Sequence, residues 1–117
     1  LVIRISSYLE SSCIRIVDFY GDAVLVDSIS LTLVKIMHEK NHEYIDFLCS
    51  GLSSTMMLRA GFIKVNDDVV IPNYFEPFVK KNIFINFFTE SSLDEENLRI
   101  FKADGDQDRP STSLMKL

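Results

Sequence analysis

Residues 13–20 read Cys13-Ile14-Arg15-Ile16-Val17-Asp18-Phe19-Tyr20, followed by the break Gly21-Asp22 and an apolar stretch from Ala23 to Lys40. The first run is rich in β-branched and aromatic residues, with Arg15 and Asp18 set between apolar positions, which is the pattern of a mostly buried strand. In the second run a helical period puts Val26, Ile29, Leu33, Ile36 and Met37 on one stripe and Ser28, Thr32, Lys35 and Glu39 on the opposite one. Asp22 before it and Lys35, His38 and Lys40 near its end match the charge preference of a helix dipole. Ser28-Ile29-Ser30-Leu31-Thr32-Leu33 also alternates with a period of two, as a half-buried strand would. The segment exceeds the usual strand length, so the helix is preferred.

Working outward, residues 2–8 form a second β-rich run, separated from 13–20 by Leu9-Glu10-Ser11-Ser12, and the pair reads as an antiparallel hairpin. After Asn41, residues 42–49 (His42-Glu43-Tyr44-Ile45-Asp46-Phe47-Leu48-Cys49) read as a strand buried on both faces. Leu52 to Ala60 holds strong helix formers behind Ser53 or Ser54 as N-cap, and Gly61 stands where a left-handed C-cap belongs. A strand, a helix and a strand joined by short connections make a βαβ unit with parallel neighbouring strands. Phe62–Val65 and Val69–Ile71 read as strand pieces around a turn at 66–68. Residues 72–77, bounded by Pro72 and Pro77, read as a shaped loop and Ile83–Phe88 as a late strand. Ser92 with Glu95 reads as a capping box opening a short polar helix to Arg99. The expectation is one α/β domain over 1–103, with a mixed sheet of about six strands, and a loosely ordered acidic tail at 104–117.

The chain has 117 residues, 47% hydrophobic and 25% charged, the length of one domain with a core that needs no metal or disulfide. A net charge of −5 without a basic stripe argues against a nucleic-acid partner. No apolar run reaches the roughly 18 to 20 residues that cross a bilayer, and the chain is expected to be cytoplasmic. It opens on strand-like residues without an initiator Met, so it is expected to be part of a longer polypeptide.

Several residue groups bear on chemistry. The junction Phe19-Tyr20-Gly21-Asp22-Ala23 leads from strand into helix, where free backbone N–H groups suit a phosphate, although an acidic Asp22 opposes one and neither GxGxxG nor GxxxxGK[ST] is present. Cys13 and Cys49 do not form a CxxC and read as small buried hydrophobes; a nucleophilic role would need a base, and His42 cannot be placed beside Cys49 from spacing. No spaced ligand quartet suggests zinc. Asp104-Gly105-Asp106-Gln107-Asp108 opens like a calcium loop, but Arg109 occupies the sixth place and no metal is expected. The aromatic group Tyr74, Phe75, Phe78, Phe84, Phe87 and Phe88 reads either as core beneath a hairpin or as an apolar groove or partner surface. Asp18, Tyr44 and Asp46 are polar residues inside apolar strands; they would face solvent or a cleft, and in a cleft they would be acid/base candidates.

From Ile14 to about Phe62 the order strand, helix, strand, short helix, Gly-Phe resembles the C-terminal half of GNAT-type N-acyltransferases, most specifically at Leu58-Arg59-Ala60-Gly61-Phe62. The chain differs from the family in three ways. Gly21, Asp22 and Ala23 stand where its pyrophosphate loop carries Arg or Gln and spaced glycines, Met57 stands at the position of its usual tyrosine acid, and the N-terminal half of the fold is absent. The resemblance implies two parallel strands, 14–20 and 43–49, that splay apart to admit the pantetheine arm of acetyl-CoA or another acyl-CoA as co-substrate. It further implies Val17 to Phe19 lining that slot, backbone groups of Gly21, Asp22 and Ala23 holding pyrophosphate, and an amine as acceptor. Asp18 and Asp46 are the candidates to take the amine's proton, chosen by strand position. The competing reading is a non-catalytic module of the same fold, acting in assembly or small-ligand binding, with a homodimer as a possible assembly.

Overall fold

The computed structural model describes residues 1–66, 68–71, 82, 86–93 and 98–105. The expected hairpin is present. Strand β1 (Val2–Tyr8) runs antiparallel to β2 (Ser11–Asp18), paired from Tyr8 opposite Ser11 back to Val2 opposite Asp18. Its loop is only Leu9-Glu10, with Leu9 in the left-handed region at φ 53°. The register shifts near the far end: Ile3 faces Ile16 while Val2 faces Asp18, so Val17 is an extra residue, a β-bulge.

On its other side β2 pairs in parallel with β3 (Ile45–Phe47), through Ile14–Ile45, Arg15–Asp46 and Ile16–Phe47. The Ile14 N–H donates to the Tyr44 carbonyl at 3.0 Å, and the Glu43 N–H to the Ser12 carbonyl at 2.8 Å. The three-stranded sheet has the order β1-β2-β3 and is mixed. Strand β4 (Cys49–Ser50) belongs to a different, two-stranded sheet with β5 (Ile100–Phe101), antiparallel. The single strand expected over 42–49 is therefore divided between two sheets. Gly51 turns the chain after β4: its φ is 81°, and a Cβ there would collide with the Leu98 carbonyl oxygen, so only glycine allows the two segments to approach.

Helix α1 (Leu25–Glu39) links β2 to β3, and α2 (Ser54–Arg59) follows β4. Asp22 starts α1. Its carboxylate accepts the Val24 N–H at 3.1 Å and its carbonyl accepts the Leu25 N–H at 3.0 Å. Both helices end in the same motif. The Asn41 N–H donates to the His38 carbonyl and the His42 N–H to the Met37 carbonyl, as do Gly61 to Leu58 and Phe62 to Met57. Asn41 and Gly61 adopt the positive φ this ending requires, at 56° and 87°. The predicted stripe on α1 is borne out, with Val26 and Leu33 buried and Ser28, Thr32, Lys35 and Glu39 exposed. A core of Phe19, Val26, Ala60 and Phe101, flanked by Ile29, Phe47, Leu52, Met56, Met57 and Phe62, joins the two helices to both sheets.

The architecture is α/β. The described residues hold a mixed three-stranded sheet and a separate two-stranded one rather than a single sheet of about six. Phe62–Val65 and Val69–Ile71 join no ladder among the described residues. The turn between them is present, and the Asn82 side chain supplies the bonding a partner strand would have given. Its amide donates to the carbonyls of Asn66 at 2.9 Å and Val69 at 2.7 Å, and its oxygen accepts the Ile71 N–H at 3.1 Å. Asn86 to Phe88, expected to end a late strand, join no sheet among the described residues and are exposed. The loop at 72–77, residues 83–85, most of the helix expected after Ser92, and the tail from 106 lie outside the described residues.

Candidate functional site

The parallel ladder between β2 and β3 stops at Ile16 and Phe47. Beyond it β2 continues through the bulged Val17 to Asp18 with only β1 as a described neighbour, while Leu48 leads the other chain away to pair with β5. Two parallel strands thus part company at a bulge, a local device that ends pairing and re-aims side chains. Of the predicted slot residues, Val17 and Phe19 are buried and Asp18 is half-buried. Phe101 bridges the two parting ends: its ring stacks on Phe47 at 5.7 Å between centroids and meets Phe19 edge-on at 6.5 Å.

Gly21, Asp22 and Ala23 follow just before α1, within five residues of Asp18, and Gly21 and Asp22 are exposed. Asp22 holds the Val24 amide with its own carboxylate, so this amide is already satisfied. One residue the sequence did not single out joins the loop. Arg99 donates from Nη1 to the Gly21 carbonyl at 3.0 Å, placing a guanidinium beside the first turn of α1. Its partner lies 78 positions away, and only the fold brings the two together.

Asp46 and Asp18 have different surroundings. Asp46 is buried opposite Arg15, whose Nε donates to both carboxylate oxygens at 2.9 and 3.0 Å while Nη2 donates to Oδ2 at 2.6 Å. This is a fork-on-carboxylate pair between neighbouring strands. Burial pushes the Arg15 pKa down, but the hydrogen bonds and charge of Asp46 outweigh it and the guanidinium is held above its usual range. Asp46 therefore works as the counter-ion of Arg15. Asp18 lies past the bulge at the strand end and is half-buried.

Both thiols are uncharged in the folded chain. Burial raises the Cys13 pKa, and burial alone pushes Cys49 up to about 11. His42 is not beside either: its Nδ1 shares a hydrogen bond of 2.7 Å with the Ser12 hydroxyl, tying the hairpin to the segment before β3. Met57 packs against the core. A groove of about 180 Å³ lies elsewhere, lined by Leu33, Val34 and Met37 of α1 with Ile45 and Phe62, and contains none of the predicted site residues. Among the described residues no group of three or more His, Cys, Asp or Glu is placed to hold a metal ion, and no helix is long and apolar enough to cross a membrane.

No family model, curated protein or solved structure matches the chain.

Proposed function

We propose that the chain is an acyl-CoA-dependent N-acyltransferase domain, or the C-terminal portion of one, transferring an acetyl or similar group to an amine. The observation that carries this reading is the end of parallel pairing beside the Val17 bulge, eight residues before α1 begins at Leu25. In the proposed complex the pantetheine arm enters between Val17–Phe19 and the segment after Phe47, displacing the Phe101 ring that bridges Phe19 and Phe47 in the free chain. The pyrophosphate rests at Gly21–Ala23, where Arg99 supplies the positive charge that offsets Asp22. The amine nitrogen attacks the thioester carbonyl, the C–S bond breaks, and CoA leaves as a thiolate. Asp18 is the carboxylate positioned to accept the amine's proton, since Asp46 is committed to Arg15.

Acetyl-CoA at about a hundred times its Kd would stabilise the fold by about 2.7 kcal/mol, which raises Tm by several degrees. Arg99→Glu would remove most of that rise, read as the shift from the variant's own ligand-free Tm. An unchanged Tm at millimolar acetyl-CoA overturns the reading. A second reading, a ligand-binding or assembly module without turnover, is favoured by the Arg15–Asp46 pair and the self-capped Asp22. Mass spectrometry of amines incubated with acetyl-CoA separates the two, since the module would bind without forming amide.

A further inference from the structure

We infer that β1 is a self-pairing edge, through which two copies of this chain join antiparallel into one continuous six-stranded sheet. The inference does not depend on the acyl-CoA reading.

The hydrogen bonds of β2 reveal which groups of β1 face outward. The Ile14 N–H and the Ser12 carbonyl both bond toward the β3 side. In a strand the N–H and C=O of one residue point the same way, so Ser12, Ile14 and Ile16 turn from β1. Their partners Ser7, Ile5 and Ile3 then sit at non-hydrogen-bonded positions of the hairpin and present their own N–H and C=O groups to the outer edge. Among the described residues no strand takes these groups. Apolar side chains are exposed along the same edge, at 53% for Val2, 37% for Ile3, 46% for Ile5 and 39% for Tyr8, although Ile14 and Ile16 beside them are fully buried. The edge is seven residues long, has no proline and carries one charge, Arg4, so it lacks the usual protection against pairing.

A second copy fits this edge in one register. With a two-fold axis through Ile5, Ile5 faces Ile5 and Ile3 faces Ser7, all residues with outward groups, which gives six inter-chain hydrogen bonds in the antiparallel pattern. Val2 then faces Tyr8, a favourable β-branched and aromatic pair, and Arg4 faces the small, uncharged Ser6. Moving the axis to Arg4 leaves Tyr8 with no residue opposite it. Moving it to Ser6 shortens the overlap further and leaves Val2 and Ile3 uncovered. The register through Ile5 alone uses the whole strand. On the face shared with Ile14, the two copies of Ile3 and Ile5 close over each other and extend the apolar layer between the sheets' halves.

One strand per copy buries less than the ~800 Å² per partner of a standard interface, so the expected Kd is on the order of 10 μM or weaker. Sedimentation velocity on the full chain from ~5 to ~500 μM would show monomer passing to dimer across that range. Ile5→Lys, which sets two ammonium groups face to face, and Ser7→Pro, which removes an outward N–H while sparing the β2 ladder, would each hold the protein monomeric at the highest concentration. Leu31→Lys, on α1, would dimerise as the wild type does. Amide exchange at Ile3, Ile5 and Ser7 would slow with concentration. A monomer at every concentration overturns the inference, as does a dimer that both edge variants leave intact. Amides at these three positions equally protected at all dilutions also overturn it, since a segment of the same chain would then hold the edge.

Discussion

Arg15 and Asp46 stand opposite each other on neighbouring parallel strands, both almost completely buried. Removing one partner leaves an uncompensated charge in the interior, so Asp46→Ala is expected to cost about 3–5 kcal/mol. Replacing both at once with Met and Leu would cost much less, and chemical denaturation of the single and double variants reads the difference. The sequence showed Asp46 only as a carboxylate inside an apolar strand; the partner that turns it from proton acceptor into counter-ion lies 31 positions away and is set by strand register. Cys49 gives a second test at this scale. Its folded pKa of about 11 lies above the ordinary thiol value, so the unfolded chain loses the proton first as pH rises. Its contribution is fully present below about pH 9 and is lost between there and about 11, and denaturant midpoints should fall over that window and recover in Cys49→Ala. In the native state at neutral pH, iodoacetamide should alkylate both thiols slowly, and quickly once urea unfolds the chain.

Turns and helix ends were the most legible elements because their cause is local. Asp22, the α1 stripe, Gly61 and the Leu9 interruption each act through near neighbours, and each structure they indicated is present. Asn41 ends α1 as Gly61 ends α2, yet the sequence did not mark it, since asparagine takes the left-handed conformation less regularly than glycine. Strands were harder to read because their partners are distant. Residues 42–49 carry one continuous apolar pattern, and only pairing with residues 100–101 divides them. Gly51 and Gly61 allow a direct comparison. Gly61→Ala meets open space and would cost about 1–2 kcal/mol from the left-handed backbone alone. Gly51→Ala has the same strain and also drives a Cβ into the Leu98 carbonyl, so it should cost clearly more and weaken the amide protection of Cys49 and Phe101. Equal costs for the two would show that the close approach is unimportant.

At the scale of the molecule, two small sheets and two helices share one core, and Phe101 is the residue common to them. It pairs in β5, stacks on Phe47 from β3 and meets Phe19 beyond β2. Phe101→Ala is expected to cost about 3–5 kcal/mol and to loosen β4 and β5 before the three-stranded sheet, as residue-resolved hydrogen exchange would reveal. The candidate site was legible in outline, since the order strand, helix, strand and the Gly21 junction place the parting strands near the α1 start. Its charges were not, because Arg99 reaches that junction through the fold alone. Val17 has a further effect on the whole arrangement. Side chains alternate strictly along a regular strand, and one inserted residue inverts the phase of everything after it. Ile16 and Phe19 are an odd number of steps apart, yet both are buried, Phe19 against the helices. Deleting Val17 would leave Phe19 two steps from Ile16 and so on the same face, keeping the hairpin joined to the helices, whereas inserting a second residue there would turn the Phe19 ring away from them.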